Sequence, residues 1–502
     1  MNLAALYKNE LDRFGEHVSL IFEEKEITNL EMRQASLRLG NALKGLGVKK
    51  GDRVIIQMPN CPQVLQSFHA VYAIGAVVVP INFLVGDEEI TYIYQDTRAE
   101  TIISSLDFLP RIEVCKKHAP AIKNIILINT DVPSHTLAYI KLIESVTDEL
   151  EIEAVDDDQL AAIIYTSGTT GKPKGVMHTH KSLYANAKMQ KDSIDIPSGV
   201  TGISVLPYCH SYGIANMNFG ALIGGGRSVL LNSFDIDAIF SAIEKYNGYA
   251  MGAVPTLYVY MLLHPDPGKY DLSSMKYWIS GSAPLTQNTY DSFKKKFGGE
   301  IVEGWGLTEA GANNSVNPLD GTKKVGSIGF PMKGTKMKIV DFDGNDLSAG
   351  EEGEILISGP MLMKGYWNQP EATAEVLKDG WLHTGDVGYQ DEDGYFFITE
   401  RKKDIIIKGG ENIAPRQIEE VLYDHPKISE AAIVGMKNEV YGEDIKAFVV
   451  LNPGETAEEA EIIEYCVTRL KRFKSPREVT FLKALPKNLV GKILKKELRK
   501  MG

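Results

Sequence analysis

The sequence predicts an α/β fold: a large N-terminal domain of layered α/β subdomains with a small β region, residues 1–400, then a small α+β domain, residues 404–502. Three observations carry this. Apolar strand-like runs alternate with amphipathic helices from about residue 50 to residue 305, the pattern of layered, largely parallel sheets. From about residue 325 the texture changes to short strands separated by Asp-Gly turns. The charged run Glu400-Arg401-Lys402-Lys403-Asp404 then separates this region from a last α+β stretch, and 502 residues exceed what one core accommodates.

Thr28-Asn29-Leu30-Glu31 is a capping box that opens a helix, whose apolar face includes Leu30, Leu37, Leu39 and Leu43. Strand 53–57, helix 62–74 and strand 76–80 follow, then strand 101–105, helix 109–118 and strand 124–128. Residues 131–158 read as acidic and irregular. After strand 160–164 and the loop 165–175 come helix 182–189, strand 202–206, strand 228–231 and helix 235–246. Helix 257–263, strand 277–280 and strand 301–305 complete the alternation. The β region contributes strands 337–340, 353–358 and 395–398. The last module reads as strand 405–408, helix 415–423, strands 430–434 and 446–451, helix 457–470, strand 479–482 and a terminal helix from Ile493. Thr456-Ala457-Glu458-Glu459 is a second candidate capping box.

A net charge of −12 argues against nucleic acid as the partner. Within this acidic chain, residues 469–500 hold twelve Lys/Arg against two Glu. That is either a solvated helix face or a local anion site. The four cysteines, at 61, 115, 209 and 466, have neither metal-ligand nor CxxC spacing, as in a reducing, cytoplasmic setting. Cys209 stands beside His210, but neighbours on an extended chain face opposite ways, so no thiol dyad is expected. The longest apolar run, 70–79, stops at Pro80 and is too short for a bilayer. No transmembrane segment is expected, which leaves peripheral membrane contact open, and a homodimer is a compatible assembly.

The chemistry concentrates in eight places. Tyr165-Thr166-Ser167-Gly168-Thr169-Thr170-Gly171-Lys172-Pro173-Lys174-Gly175 combines three glycines, four hydroxyls and two lysines. Freely turning backbone with hydroxyl and ammonium donors suits a polyphosphate. It is not a Walker A loop, because Pro173 stands where Ser or Thr must follow the lysine. Next come Pro207-Tyr208-Cys209-His210 and the tight turn Gly281-Ser282-Ala283-Pro284. Gly304-Trp305-Gly306-Leu307-Thr308-Glu309 places a hydroxyl and a carboxylate just after glycine. Thr384-Gly385-Asp386, Arg401, Gly409-Gly410 and Gly491-Lys492 complete the set.

In this order the motifs resemble those of the adenylate-forming superfamily, which holds acyl-CoA synthetases, firefly luciferase-like enzymes and peptide-synthetase adenylation domains; fatty acyl-CoA synthetases of bacterial type are the most similar. The resemblance covers nearly the whole chain. It implies a mobile C-terminal domain pivoting at 401–403, with Lys403 at the hinge. It implies two half-reactions with ATP, Mg²⁺ and CoA: a carboxylate attacks the α-phosphate to give acyl-AMP and pyrophosphate, and a thiol then displaces AMP.

The resemblance also implies residue roles. Lys492 supplies the positive charge for attack at the α-phosphate, where a fixed ammonium is worth most in the transition state. Thr166, Ser167, Gly168, Thr169, Thr170 and Lys174 cradle the departing pyrophosphate. Glu309 is the oxygen ligand for Mg²⁺, and Thr308 donates to the α-phosphate. Asp386 clamps the ribose with help from Arg401. Gly281, Ser282 and Ala283 form the adenine-side turn, and Trp305 with Gly306 lies beside adenine or in the core. His210 steadies the acyl carboxylate. Gly409, Gly410 and Lys474, with Lys471 and Arg472, face CoA. The acyl pocket draws on 208–218, 253–260 and 281–285, where Tyr208, Tyr212, Tyr258 and Tyr260 are placed to narrow it. Departures are Gln417 within Pro415-Arg416-Gln417-Ile418-Glu419 and the segment Asn488-Leu489-Val490.

The expected activity is an ATP-dependent acyl-CoA ligase, with a fatty acid favoured over an aromatic acid. The Pro207–His210 turn lacks the Asp that holds an amino-acid amine, so an amino acid is disfavoured. The alternatives are another acceptor than CoA, or a non-catalytic sensor of nucleotide or acyl-CoA. The presence of Lys492, Glu309 and Asp386 together argues against the sensor.

Overall fold

The computed structural model describes residues 1–83, 85–166, 172–341, 343–487 and 493–501. Ser167, Gly168, Thr169, Thr170, Gly171 and the segment 488–492, with Gly491 and Lys492, lie outside the described residues. Three sheets organise the rest.

The first sheet carries, in spatial order, Gly365–Tyr366, Lys174–Thr179, Leu160–Thr166, Val77–Pro80, Arg53–Gln57, Thr101–Ser104, Asn124–Leu127 and Leu137–Ala138. Its centre is parallel, as the βα alternation predicts. The phosphate-loop end departs from that pattern: Leu160–Thr166 and Lys174–Thr179 pair antiparallel, with Thr166 opposite Lys174. A strand, not a helix, therefore follows the loop, and the helix is longer than predicted, His180–Ser193. The segment read as irregular contains the short strand Leu137–Ala138 and the helix Tyr139–Glu144. Helix Pro62–Ala73 is buried on nearly every side, so residues such as Phe68 and Val71 each contribute about 1.5–3 kcal/mol by leaving water.

The second sheet joins what the sequence reads as two regions. Parallel strands Gly248–Ala253, Tyr277–Ser280 and Ile301–Trp305 lie side by side. Strand Ile301–Trp305 continues antiparallel through Ser315–Val316 and Ser327–Pro331 to Phe396–Arg401, Trp381–Gln390 and Gly353–Ser358. The β region is thus an edge-to-edge extension of the α/β sheet and not a separate layer packed against it. Three strands separate Ile301–Trp305 from Trp381–Gln390 along this ladder, and the two are brought together by a side-chain bond from Trp305 to Asp386.

The third sheet is built from Glu411–Ile413, Ile406–Lys408, Gly442–Leu451, Ile428–Asn438 and Glu478–Phe481. The capping box at Thr28 forms, with both reciprocal bonds present. The second candidate does not: helix Glu459–Leu470 has Glu458 at its N-cap with no side-chain bond. Glu459, expected to reach back to Thr456, instead accepts from the Val479 backbone N–H at 2.7 Å. A tertiary partner has outcompeted the local one. The domains meet where Glu400 accepts the Arg416 backbone N–H at 2.9 Å, a carboxylate set against the first turn of helix Pro415–Tyr423. Lys495–Glu419 (2.9 Å) and Arg499–Asp404 (2.6 Å) add ion pairs nearby.

Candidate functional site

Strand pairing sets Asp386 directly opposite Arg401. The Arg401 Nε lies 2.7 Å from Asp386 Oδ1, and the Trp305 indole Nε1–H donates to Asp386 Oδ2 at 3.0 Å. The Asp386 side chain is 2% exposed. Each oxygen retains a further lone pair for a sugar hydroxyl. A cleft of about 370 Å³ opens here, lined by Leu307, Glu309, Tyr366, Thr384, Gly385 and Arg401 among others. Trp305 is 8% exposed and belongs to the buried cluster that holds Val176, Ile339 and Ile355.

Glu309 and Lys174 meet on one side chain. The Tyr366 hydroxyl donates to Glu309 Oε1 at 2.9 Å, and the Lys174 ammonium sits 4.7 Å from the Tyr366 ring centroid. Strand pairing of Gly365–Tyr366 with Lys174–Thr179 brings this about. Thr308 is fixed by a residue that nothing in the sequence marks: His178 Nε2 lies 2.6 Å from the Thr308 carbonyl. Since a carbonyl only accepts, Nε2 carries the proton. Burial pushes this imidazole down to about 4, so it stays neutral. Gly306 is irreplaceable on steric grounds, because a Cβ there would stand 1.4 Å from the Ala312 carbonyl oxygen.

The turn at 281–285 leans on strand 301–305. Ser282 holds φ = 70°, the left-handed region that a side chain resists. A Cβ on Gly281 would lie 3.2 Å from the Gly304 carbonyl. Glu303 accepts from the Gly326 N–H at 2.8 Å and the Leu285 N–H at 3.4 Å, and burial raises its carboxyl to about 7. Ala283 follows in the same turn, half-buried.

His210 follows a turn pinned by Asn60, which accepts the Tyr208 N–H at 2.9 Å and donates to Leu206 and Leu231 carbonyls. Burial lowers the His210 imidazole to about 4, and its Nε2 has no partner among the described residues. A neutral ring with one uncommitted nitrogen can donate to or accept from a substrate. Residues 208–210 form a turn, so the extended-chain reason against a Cys209 dyad does not apply; burial instead pushes the thiol up to about 12, which disarms it as a nucleophile. Tyr212 lies against Gly252, its hydroxyl 2.3 Å from where a Cβ would stand. Tyr258 is core, donating to the Ile279 carbonyl at 2.8 Å. Tyr260 is 52% exposed and does not narrow a pocket.

Gly409 and Gly410 (φ 58° and 85°) join strands Ile406–Lys408 and Glu411–Ile413. Two positive φ values are what a two-residue hairpin turn of this hand requires, so the glycines have a conformational reason of their own. They do not line the cleft, nor does Lys474. The two are neighbours, however: buried Lys408 pairs with Asp444 at 2.6 Å and donates to the Phe473 carbonyl at 3.1 Å, tying the hairpin to the turn Arg472–Lys474. Thr166 ends its strand at the loop.

A buried carboxylate held by an arginine and an indole thus lies at a cleft that Glu309, Tyr366 and Arg401 line. Comparison with known proteins gives the family. Residues 7–367 match the AMP-binding enzyme model, and residues 417–492 match the AMP-binding enzyme C-terminal domain. The chain is 39% identical over 527 aligned positions to a long-chain-fatty-acid–CoA ligase of Bacillus subtilis, covering 99% of this chain and 94% of that one. It is 36% identical to the long-chain-fatty-acid–CoA ligase FadD13 of Mycobacterium tuberculosis, covering 94% and 92%. Its structure resembles ATP-bound MatB of Rhodopseudomonas palustris with a TM-score of 0.92 at 30% identity, covering 100% and 99%; against apo MatB the score is 0.78. The chain belongs to the AMP-binding enzyme family, and the adenylate-forming superfamily inferred from its motifs is its own. Among the described residues, no helix is long and apolar enough to cross a membrane.

Proposed function

We propose that the protein is an ATP-dependent acyl-CoA ligase, and that its acid is a long-chain fatty acid, as named for the Bacillus and Mycobacterium relatives. The observation that carries this is the convergence of Asp386, Arg401, Glu309 and Lys174 around Trp305 and Tyr366. Asp386 and Arg401 hold the ribose, and Lys174 with the loop 166–170 receives the β- and γ-phosphates. Neutral His210 orients the acyl carboxylate. An oxygen of that carboxylate attacks the α-phosphorus, the bond from the α-phosphorus to the bridging oxygen breaks, and pyrophosphate leaves. Lys492 supplies the positive charge over this exchange. The second Glu309 oxygen suits a hard cation; Glu309 would hold Mg²⁺, which would neutralise phosphate charge.

In the second half-reaction the CoA sulfur attacks the acyl carbonyl carbon and AMP departs. Gly409-Gly410 and Lys474, adjacent through Lys408, form one face for CoA. The C-terminal module, 404–502, turns about Lys403 between the two steps. The greater likeness to ATP-bound than to apo MatB supports reading the present arrangement as the adenylating one.

The test is CoA-dependent AMP release with Mg·ATP across an acid panel from short to long aliphatic and aromatic acids. AMP with long-chain acids is expected. ADP as product, or no release with any acid, overturns the reading.

A further inference from the structure

A second buried carboxylate lies beneath the first. Glu354, on strand Gly353–Ser358, has its side chain 9% exposed, and three donors from two different segments converge on it. Oε1 accepts the Gly385 backbone N–H at 3.1 Å. Oε2 lies 3.3 Å from His383 Nδ1 and 3.3 Å from Lys402 Nζ. Gly385 is the central residue of a bulged turn within strand Trp381–Gln390, where its register against Gly353–Ser358 shifts, and this turn presents Asp386. Lys402 stands between Arg401, which pairs with Asp386, and Lys403, where the chain leaves for the last domain. The Lys402 backbone N–H also donates to the Gly385 carbonyl at 2.8 Å, so both polar groups of Gly385 are tied, one to Glu354 and the other to Lys402.

The turn gains support from the same strand by a second route. Thr384 Oγ1 donates to the Ile355 carbonyl at 2.6 Å and accepts the Asp386 N–H at 3.1 Å. Gly385 itself holds φ = 70°, which glycine adopts without strain and a residue with a Cβ would resist. A buried carboxylate with charged and backbone donors is worth more than an ordinary hydrogen bond, and removing its charge leaves those donors under-satisfied.

We propose that Glu354 is a positioning residue that fixes the Thr384-Gly385-Asp386 turn to Lys402 at the domain junction, and so sets the affinity for the nucleotide ribose while the chain beyond Lys403 moves. Glu354 borders the same cleft as Arg401 and Glu309, but its carboxylate oxygens are taken up by Gly385, His383 and Lys402, so the role proposed for it is exerted through Gly385 and Lys402. The inference rests on the reading of Asp386 as the ribose carboxylate. Its consequence is that the junction and the ribose clamp share one anchor. Rotation of the C-terminal module then starts after a fixed post and does not drag the turn with it.

The test compares Glu354→Gln, Lys402→Ala and the double variant with the wild type in the full chain. ATP affinity is measured by titration without acid, and KM and kcat by pyrophosphate exchange with acid. Glu354→Gln keeps the side-chain shape but not the charge, and is expected to weaken ATP about tenfold, the scale of one charge-assisted hydrogen bond, with kcat within about twofold. The preference for ATP over 2′-deoxy-ATP and 3′-deoxy-ATP should shrink in the same variant, which a general loss of packing does not produce. Lys402→Ala, made at a half-exposed side chain, should move affinity in the same direction. The double variant should be no worse than Glu354→Gln alone, because the two act as one unit. Wild-type affinity and sugar discrimination in Glu354→Gln, a fall in kcat at unchanged KM, or multiplying effects in the double variant overturn the inference. If the wild type exchanges pyrophosphate with no acid while Glu354→Gln still weakens ATP, the acyl-ligase reading falls and the anchor stands.

Discussion

The Trp305 indole N–H donates to Asp386 at 3.0 Å across a gap of eighty-one residues in sequence. The indole thereby orients the carboxylate proposed for the ribose. Trp305→Phe keeps most of the apolar volume and deletes the donor. It should raise KM for ATP about fivefold, with kcat changed much less, the effect of one lost hydrogen bond to a charged group. Steady-state pyrophosphate exchange reads both constants, and an unchanged KM would remove the role assigned to the indole.

Lys492→Ala should separate the half-reactions. On the role proposed for Lys492, loss of its charge should lower adenylation by about a hundredfold or more, whereas supplied acyl-adenylate should still be converted to thioester at near wild-type rate. Equal loss of both activities in a folded variant contradicts the two-step use of the last domain.

His210 is held neutral by burial, with its imidazole near 4. Its titration therefore lies below the working range. His210→Ala should lower adenylation by about tenfold to a hundredfold without altering the shape of the pH–rate profile between about pH 6 and 8. A limb in that range that vanishes in the variant would show that the ring titrates during turnover.

Glu303 gives a pH dependence of stability with a defined sign. Its carboxyl is raised by burial from 4.5 to about 7. The native state therefore binds more protons than the unfolded chain between these values. The contribution is fully present below about pH 4.5 and is lost as pH rises through about 7. Over that window the wild type should lose up to about 3 kcal/mol from this group, and Glu303→Gln should lose correspondingly less. Urea denaturation of both proteins at the two ends of the window measures the difference, and parallel pH dependences would contradict the assignment.

What the sequence made legible follows from the range of the interaction. The capping box at Thr28 needs only four residues in register, and it forms. Thr456–Glu459 offers the same local pattern, but Val479 takes the Glu459 carboxylate. The βα alternation and the break before the last sheet are visible because hydrophobic period and turn residues are local properties. The antiparallel ladder at Thr166–Lys174 is not, since either a strand or a helix can follow a glycine-rich loop. Asp386, Glu309 and Arg401 were singled out because they sit in short ordered motifs. His178, Asn60 and Glu354 carry no such mark: each acts on a backbone group that is remote in sequence, and only the folded sheets bring the two together. The Trp305 pairing belongs with these, because it joins side chains eighty-one residues apart on strands that are not ladder neighbours.

The register that sets Asp386 against Arg401 has a consequence for the exchange of segments between relatives. The two strands are joined through the turn at 391–394, and the ladder already shifts its register between Val387 and Gly388. A one-residue insertion or deletion among the paired residues 396–400 would carry Arg401 to the opposite face and move the domain junction along with it. Asp386, its arginine and the start of the last domain therefore depend on one register. Chimeras cut before Trp381 or after Asp404 should retain nucleotide affinity, whereas those cut between these points should lose it, whichever parents supply the halves.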